Sequence, residues 1–257
     1  MNSLSPAVIL LCLAVAAAGD GSLDGAAADD PAEGDQPAGR RILAAVRRNL
    51  PREPLLIEGS LLVRKRRGFV LSEIPFQMRL EWGAAPPRAV YTVGDAFGGE
   101  QERLTVLRDA GKGARFTYMR GDPPAPAPLP DLEAPIRDTA LSWVDLTLSF
   151  LWWTDAQRVG TEDVRGRPCH VLDVQPAGAG PDDGAYARVR LWIDRKLLML
   201  LQAEAFDEAG RAIKRLWIDS FKKVDDRWMI KDMDVQGPSD VRRTRLTVYD
   251  VSAASTP

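Results

Sequence analysis

The sequence has few of the side chains that most enzymes use for nucleophilic or metal chemistry. Its 257 residues include two cysteines, Cys12 and Cys169, and one histidine, His170. These cannot supply the nitrogen and sulfur ligands of a typical zinc site, so no metal is expected. The sequence also lacks a nucleophile elbow and a P-loop. Carboxylates are plentiful, but most fall at turns or on polar strand faces, so we expect no enzyme and no cofactor.

The sequence also lacks a large net charge of either sign. Its 34 basic and 36 acidic residues are interleaved and give a net charge of −2. A nucleic-acid partner is therefore not expected, because such partners require a strong basic surface. The one basic cluster, RKRRG at residues 64–68, is interpreted as the solvated tip of a hairpin.

The first 39 residues are predicted to be a targeting segment and a tether. Residues 1–18 contain a short apolar run that ends in three alanines, as a cleavable signal peptide does. Residues 19–39 are rich in Ala, Asp, Gly and Pro and are predicted to be disordered. Export would leave Cys169 as the one thiol, so no disulfide within the chain is expected, and a buried structural cysteine is favoured over a reactive one.

The rest of the chain alternates apolar and polar residues in short runs separated by turns. In the cleanest run, Phe76, Met78, Leu80 and Trp82 face one side. Residues 186–235 continue the pattern as a meander of four strands. No helix of crossover length separates the runs, which predicts a mainly β (α+β) antiparallel fold. We assign residues 40–253 to this single domain.

Three segments depart from the strand pattern. Residues 40–50 predict a short amphipathic helix packed on the sheet, with membrane attachment as the alternative. Residues 121–130 are rich in proline and predict an extended connection. Residues 141–153, LSWVDLTLSFLWW, predict a helix that is apolar over most of its circumference and therefore buried on several sides. Such a helix is either a plug of the core or a mobile lid over a cavity, and both interpretations stay open.

Several strings occur in an order that resembles a known bacterial family. They are WVDL and FLWW within residues 143–153, VRGRPCHVL at 164–172, VRLWID at 189–194, AEAFD at 203–207 and WMIKDM at 228–233. In this order they resemble the outer membrane lipoprotein-sorting proteins, a LolA-like group, over about residues 40–251. The resemblance implies a strongly curved antiparallel sheet, an incomplete barrel covered by the N-terminal helix and the apolar central helix.

The resemblance also implies a function. It predicts a periplasmic, monomeric carrier that shields acyl chains of a lipoprotein or another lipid, with an inner-membrane exporter or an outer-membrane acceptor as further partners. The residues expected to contact the acyl chains are Phe76, Met78, Leu80, Trp82, Trp143, Phe150, Leu151 and Trp153. The alternative is a sensory or scaffold module that uses the same fold to bind a protein partner.

Overall fold

The computed structural model describes residues 36–65, 68–95, 99–109, 113–176, 186–224, 227–237 and 242–254. Helix α1 spans Gln36–Arg48, and helix α2 spans Trp143–Leu146, followed by a 3-10 helix at Ser149–Trp152. The first seven strands are β1 Leu55–Lys65, β2 Val70–Glu81, β3 Arg88–Val93, β4 Gln101–Asp109, β5 Gly113–Gly121, β6 Pro124–Ala127 and β7 Asp155–Val164. The other six are β8 Arg167–Gln175, β9 Arg188–Asp194, β10 Leu200–Phe206, β11 Ala212–Val224, β12 Arg227–Gln236 and β13 Arg242–Ala253.

All thirteen strands belong to one antiparallel sheet, in the order β6-β5-β4-β3-β2-β1-β13-β12-β11-β10-β9-β8-β7. Strands that are neighbours in the sheet are also consecutive in the sequence, with one exception. The exception is the pair of β1 and β13, the first and last strands of the described region. Within the described residues the sheet stays open, with β6 and β7 as its edges. The predicted fold class, a mainly β incomplete barrel, is confirmed.

The core lies on one face of this sheet because the strand residues alternate in burial. In β2, Phe76, Met78 and Leu80 are buried, whereas Gln77 is exposed and Arg79 is partly exposed. Burying a side chain of this size is worth about 1.5–3 kcal/mol, so this face of β2 stabilises the fold. The pattern read from the sequence is therefore the pattern that sets the inner face.

Phe76 occupies the space left by a glycine on the neighbouring strand. A β-carbon added at Gly59 would overlap the carbonyl oxygen of Thr247 and lie 2.6 Å from the Phe76 ring. We therefore expect Gly59→Ala to lower the free energy of unfolding by roughly 3 kcal/mol, because the sheet backbone must move. Chemical denaturation would measure this. Gly99→Ala is the control, since its β-carbon would meet only the end of the Asp95 side chain at 3.1 Å. Equal losses in the two variants would contradict the expectation.

Helix α1 begins four residues earlier than predicted. Residues 36–39, assigned to the tether, are helical, and Pro37 is tolerated because it lies in the first turn. Leu43 and Val46 are buried as the amphipathic pattern predicted. Gly39 lets α1 approach β7, since a β-carbon there would overlap the Ala156 carbonyl. No helix among the described residues is long and apolar enough to span a membrane. The predicted signal peptide and the remaining tether lie outside the described residues.

Both edges of the sheet differ from what the sequence predicted. The proline-rich segment is not only a connection, because Pro124–Ala127 pairs with β5 as strand β6. Proline is accepted there because an edge strand has one side without ladder hydrogen bonds. At the other edge, Asp155–Val164 forms β7, a strand that the sequence pattern did not indicate.

A buried carboxylate on β12 links stability to pH. Asp234 accepts hydrogen bonds from Arg243 and Arg245 of β13. Burial alone would raise the pKa of Asp234, but these hydrogen bonds and charges lower it below its usual range. A lowered pKa means that the carboxylate stabilises the fold above its unfolded pKa of about 3.9 and loses that contribution as pH falls through the folded value.

We therefore expect the wild type and Asp234→Asn to differ most at neutral pH and to converge below about pH 4. Urea unfolding over this pH range would measure the difference. A gap that stayed constant with pH would show that Asp234 acts through packing and not through its charge.

Candidate functional site

Residues 140–153, here called the plug, cross the inner face of the sheet. They do not form the single helix that the sequence predicted. Helix α2 ends after Leu146, and Leu148 takes left-handed dihedrals (φ 48°, ψ 42°) before the 3-10 helix begins. Side-chain hydrogen bonds compete with the helix at this point, since the Thr147 hydroxyl donates to the Trp143 carbonyl and pairs with the Ser149 hydroxyl. The break changes which side chains point at the sheet.

An apolar groove remains between the plug and the sheet. It is lined by Leu50 beyond α1, by Met78, Leu80, Trp82 and Tyr91 from β2 to β3, by Ile230, Met233 and Leu246 from β12 and β13, and by Leu146, Thr147, Leu148, Leu151 and Trp152 of the plug. The open space is about 70 Å³. This is room for about two water molecules, whereas pockets for organic ligands span about 300–1,000 Å³. The groove is thus filled by its own side chains.

The structure brings together half of the residues predicted to contact acyl chains. Met78, Leu80, Trp82 and Leu151 line the groove. The other four lie in the same core outside it. Phe76 packs on Gly59, Trp143 meets the edge of the Tyr118 ring at 6.3 Å, and Phe150 meets Trp153 at 6.5 Å.

Trp152 and the residues of β12 and β13 also line the groove, and the sequence pattern did not indicate them. In a continuous helix Trp153, and not Trp152, would share a side with Trp143 and Phe150, so the break at Leu148 explains why Trp152 was not expected in the groove. Ile230, Met233 and Leu246 are buried on the inner face. The alternation around Leu246 in TRLTVYDV was a signal for that strand's inward face, but pairing with β12 was needed to place it beside Met233.

An ion pair with a buried carboxylate holds the first half of the plug. Asp145 accepts hydrogen bonds from the Tyr186 hydroxyl at 2.8 Å, from the Lys214 ammonium at 2.7 Å and from the backbone and hydroxyl of Ser142. Burial, followed by the charge of Asp145, raises the pKa of Tyr186 well above its usual value. Tyr186 therefore remains a protonated donor. Lys214 lies on β11, and Tyr186 lies two residues before β9. This network therefore holds α2 against the sheet.

Two arginines hold the second half of the plug more loosely. Arg47 of α1 donates to the Leu151 carbonyl at 2.9 Å, and Arg108 of β4 reaches the Ser149 hydroxyl at 3.4 Å. The Arg108 guanidinium lies 4.6 Å from the Trp152 ring centre, and Trp82 packs against the same ring at 5.4 Å. Contacts of this kind are each worth about 0.5–1.5 kcal/mol. The 3-10 helix is therefore fastened by several weak contacts and not by an ion pair.

The plug also contains one strained backbone conformation and one buried polar group without a hydrogen-bond partner among the described residues. Left-handed dihedrals at Leu148 cost roughly 1–2 kcal/mol for a residue with a β-carbon. The buried indole N–H of Trp153 has no hydrogen-bond acceptor within the described part of the chain. These costs fall in the half of the plug that lacks the Asp145 network. The second half of the plug is thus held by weaker contacts than the first half.

The other residues considered for chemistry lie away from the groove. Cys169 is fully buried in a small cluster with Val171, Trp192 and Leu201. Burial, aided by the charge of Asp194, raises its pKa to about 11, so the thiol is protonated at neutral pH. The predicted burial of Cys169 is confirmed. In the described ranges no group of three His, Cys, Asp or Glu side chains is placed to hold a metal ion.

The chain is similar in structure to three solved proteins. A DUF1329 family protein from Desulfovibrio piger has 18% identity and a TM-score of 0.71, over 85% of this chain and 92% of that one. A LolA superfamily protein from Nitrosomonas europaea has 11% identity and a TM-score of 0.59, over 85% and 94%. A putative outer membrane lipoprotein-sorting protein domain from Vibrio parahaemolyticus has 15% identity and a TM-score of 0.56, over 85% and 93%.

The sequence comparisons are less informative. A family model described as "Uncharacterized protein" matches residues 129–256, which include the plug and strands β7 to β13. No curated protein matches the sequence. The structural similarity extends over both halves of the sheet, and it agrees with the resemblance read from the sequence. The chain therefore has the LolA-like fold.

Proposed function

We propose that the chain is a carrier that shields the acyl chains of a lipoprotein or another lipid in the groove under the plug. One observation carries the proposal. A continuous apolar surface from β2, β3, β12 and β13 is covered on the inner face by a separate segment, and the second half of that segment is held by weak contacts. A plug that served only to fill the core would not need one half held by the Asp145 network and the other half held only by weak contacts.

In this proposal, ligand binding is an exchange of apolar groups. An acyl chain enters as Leu148, Leu151 and Trp152 leave, because the closed groove offers only about 70 Å³. Burying a chain of about fourteen methylenes is worth roughly 11 kcal/mol. Exposing the plug side chains offsets part of this gain. The net affinity is then moderate, which suits a carrier that must release its cargo to an acceptor.

The two anchors of the plug have different roles in the exchange. The Asp145 carboxylate is buried and the Lys214 ammonium is partly buried, so the pair stays in place and α2 remains on the sheet. The contacts of Arg47 and Arg108 break, and Leu148 serves as the hinge. The cost of this opening is the sum of a few contacts of about 1 kcal/mol each, added to the cost of exposing the apolar side chains that leave the groove. The open state is thus within reach of the energy that an acyl chain supplies.

The proposed compartment is the bacterial envelope, with residues 1–18 as the export signal. The donor and acceptor would be an inner-membrane exporter and an outer-membrane acceptor, and the carrier would work as a monomer. Export is supported by the apolar run and the alanines after it. The envelope location is also supported by the fold, since one similar structure is described as a lipoprotein-sorting domain.

Native mass spectrometry of the protein purified from a periplasmic extract tests the proposal. We expect bound lipid in a one-to-one complex, and saturable uptake of a fluorescent fatty acid by the delipidated protein. Unlabelled fatty acid should compete with the probe. Protein that repeatedly carries no lipid and takes up no probe would refute the carrier function.

The small volume of the groove favours a second candidate, a scaffold or sensory module that binds a protein partner. A groove that is filled by its own side chains requires no ligand for stability. Under this alternative, the same extract would yield one stoichiometric protein partner and no lipid. The two functions therefore give opposite results in a single purification.

A further inference from the structure

A second cavity lies beside the groove and shares part of its wall. Its open space is about 270 Å³, close to the lower bound of about 300 Å³ for pockets that bind organic ligands. Leu50, Trp82 and Trp152 line both the cavity and the groove. The Trp82 and Trp152 rings, whose centres are 5.4 Å apart, therefore form part of the boundary between the two spaces. A movement of Trp152 out of the groove, which the proposed function requires, would join them.

Three arginines form the polar side of this cavity. Arg47 and Arg48 lie in the last turn of α1, and Arg52 lies in the segment between α1 and β1. Among the described residues, no acidic side chain lines the cavity. Glu53 is exposed and lies outside the lining, and Glu81 pairs with arginines of β2 and β3. The polar side of the cavity thus carries charge of one sign.

These three arginines lack the carboxylate partners that arginines of the sheet have. Arg190 and Arg245, for example, each form an ion pair with an aspartate. Within the described part of the chain, no carboxylate pairs with Arg47, Arg48 or Arg52. Their positive charge is therefore available to a ligand.

Arg47 and Arg48 also repel each other. Burial, followed by the charge of Arg48, lowers the pKa of the Arg47 guanidinium. The group remains protonated at neutral pH, because the usual pKa of arginine is above about 12. The C-terminal end of α1 attracts both charges, but this attraction does not account for Arg52 or for the cavity. An anion in the cavity would offset the repulsion and pair with all three guanidinium groups.

We propose that this cavity binds the anionic head group, a carboxylate or a phosphate, of the lipid whose acyl chain enters the groove. The inference rests on the proposed function and narrows its ligand to anionic lipids. Guanidinium groups suit both anions because they donate two parallel hydrogen bonds to them. When the plug opens, Arg47 loses the Leu151 carbonyl, and the head group replaces that carbonyl as acceptor. Binding of the head group thereby favours the open plug.

Competition against a fluorescent fatty acid tests the head-group site. The delipidated protein is titrated with hexadecanoic acid, hexadecyl phosphate and hexadecanol, which have chains of equal length and differ in charge. At mildly alkaline pH the acid is ionised. We expect the wild type to bind the acid and the phosphate at least about tenfold more tightly than the alcohol. Inorganic phosphate should displace the probe far more weakly, because it has no chain to bury.

A double variant, Arg48→Gln with Arg52→Gln, removes two of the three charges without changing the plug. We expect it to lose about five- to tenfold in affinity for the acid and the phosphate and much less for the alcohol. Its thermal unfolding should stay close to that of the wild type, because both side chains are exposed. Arg48→Lys with Arg52→Lys keeps the charges and should keep most of the preference for the acid.

Arg115→Gln is the matched control, since Arg115 is an exposed arginine of β5 that does not line the cavity. It should bind all three ligands as the wild type does. Equal affinity of the wild type for the acid and the alcohol would overturn the inference and leave the carrier function standing. A loss in Arg115→Gln as large as in the double variant would also overturn it.

Two further outcomes would contradict the head-group site. Inorganic phosphate that displaced the probe as well as hexadecyl phosphate does would assign the cavity to a free anion. A protein that bound none of the three lipids would refute the carrier function itself, and this inference with it.

Discussion

Asp145→Asn is expected to lower the free energy of unfolding by about 3–5 kcal/mol. The substitution leaves the partly buried Lys214 ammonium beside a neutral group. It also introduces an amide that must donate where Asp145 accepts from the Ser142 hydroxyl, the Tyr186 hydroxyl and Lys214. Thermal and urea unfolding would both measure the loss.

A double-mutant cycle separates the ion pair from the rest of the network. Lys214→Met alone leaves a buried carboxylate, and Asp145→Asn with Lys214→Met removes both charges. We expect the double variant to be more stable than the sum of the two single losses predicts, by about 1 kcal/mol or more. Asp207→Asn is the matched control, because Asp207 pairs with an exposed Arg211 and should matter little. Additive losses in the cycle would contradict the role given to the pair.

Trp152→Ala is expected to tighten the binding of a fluorescent fatty acid by roughly ten- to thirtyfold. Trp152 contacts Trp82 and Arg108 in the closed state, and these contacts are worth about 1.4–2 kcal/mol together. The open state lacks them, so their removal raises the fraction of protein that can bind. The same variant should lose a similar amount of stability when no ligand is present.

Whether Trp152→Ala binds the fluorescent fatty acid more tightly or more weakly distinguishes two roles for Trp152. If the ring were a direct contact of the acyl chain, its removal would weaken binding. Trp228→Ala is the control, since Trp228 is 40% exposed and does not line the groove. Titration of the probe into the three proteins, followed by fluorescence, gives the three affinities. Weaker binding by Trp152→Ala than by Trp228→Ala would contradict the exchange of side chain for ligand.

The strand ladder followed from the sequence because burial in an open sheet has a period of two. Phe76, Met78 and Leu80 alternate with polar residues, and their inward direction was predicted correctly. The same rule failed at β7, where the buried side chains Ala156 and Arg158 do not present an apolar alternation. It also failed at Pro124–Ala127, because an edge strand needs only one partner and therefore accepts prolines.

The groove could be predicted only in part because its geometry depends on a break in the plug. The composition of residues 141–153 indicated burial on several sides, and this is what the structure shows. The left-handed residue at Leu148 has no sequence signal, since leucine rarely adopts that conformation. The contacts of Asp145 with Tyr186 and Lys214 likewise join residues far apart in the chain. Neither periodicity nor composition carries such information.

Photo-crosslinking with a fatty acid that carries a diazirine at the end of its chain tests the central claim most directly. After irradiation and digestion, the claim predicts adducts on peptides that contain Met78 and Leu80, Ile230 and Met233, or Leu246. Hydrogen exchange of the same complex should show lost protection at the Leu151 amide, which donates to the Leu148 carbonyl in the closed state. Adducts confined to the outer face of the sheet, or a plug that keeps its protection when ligand is bound, would contradict the account.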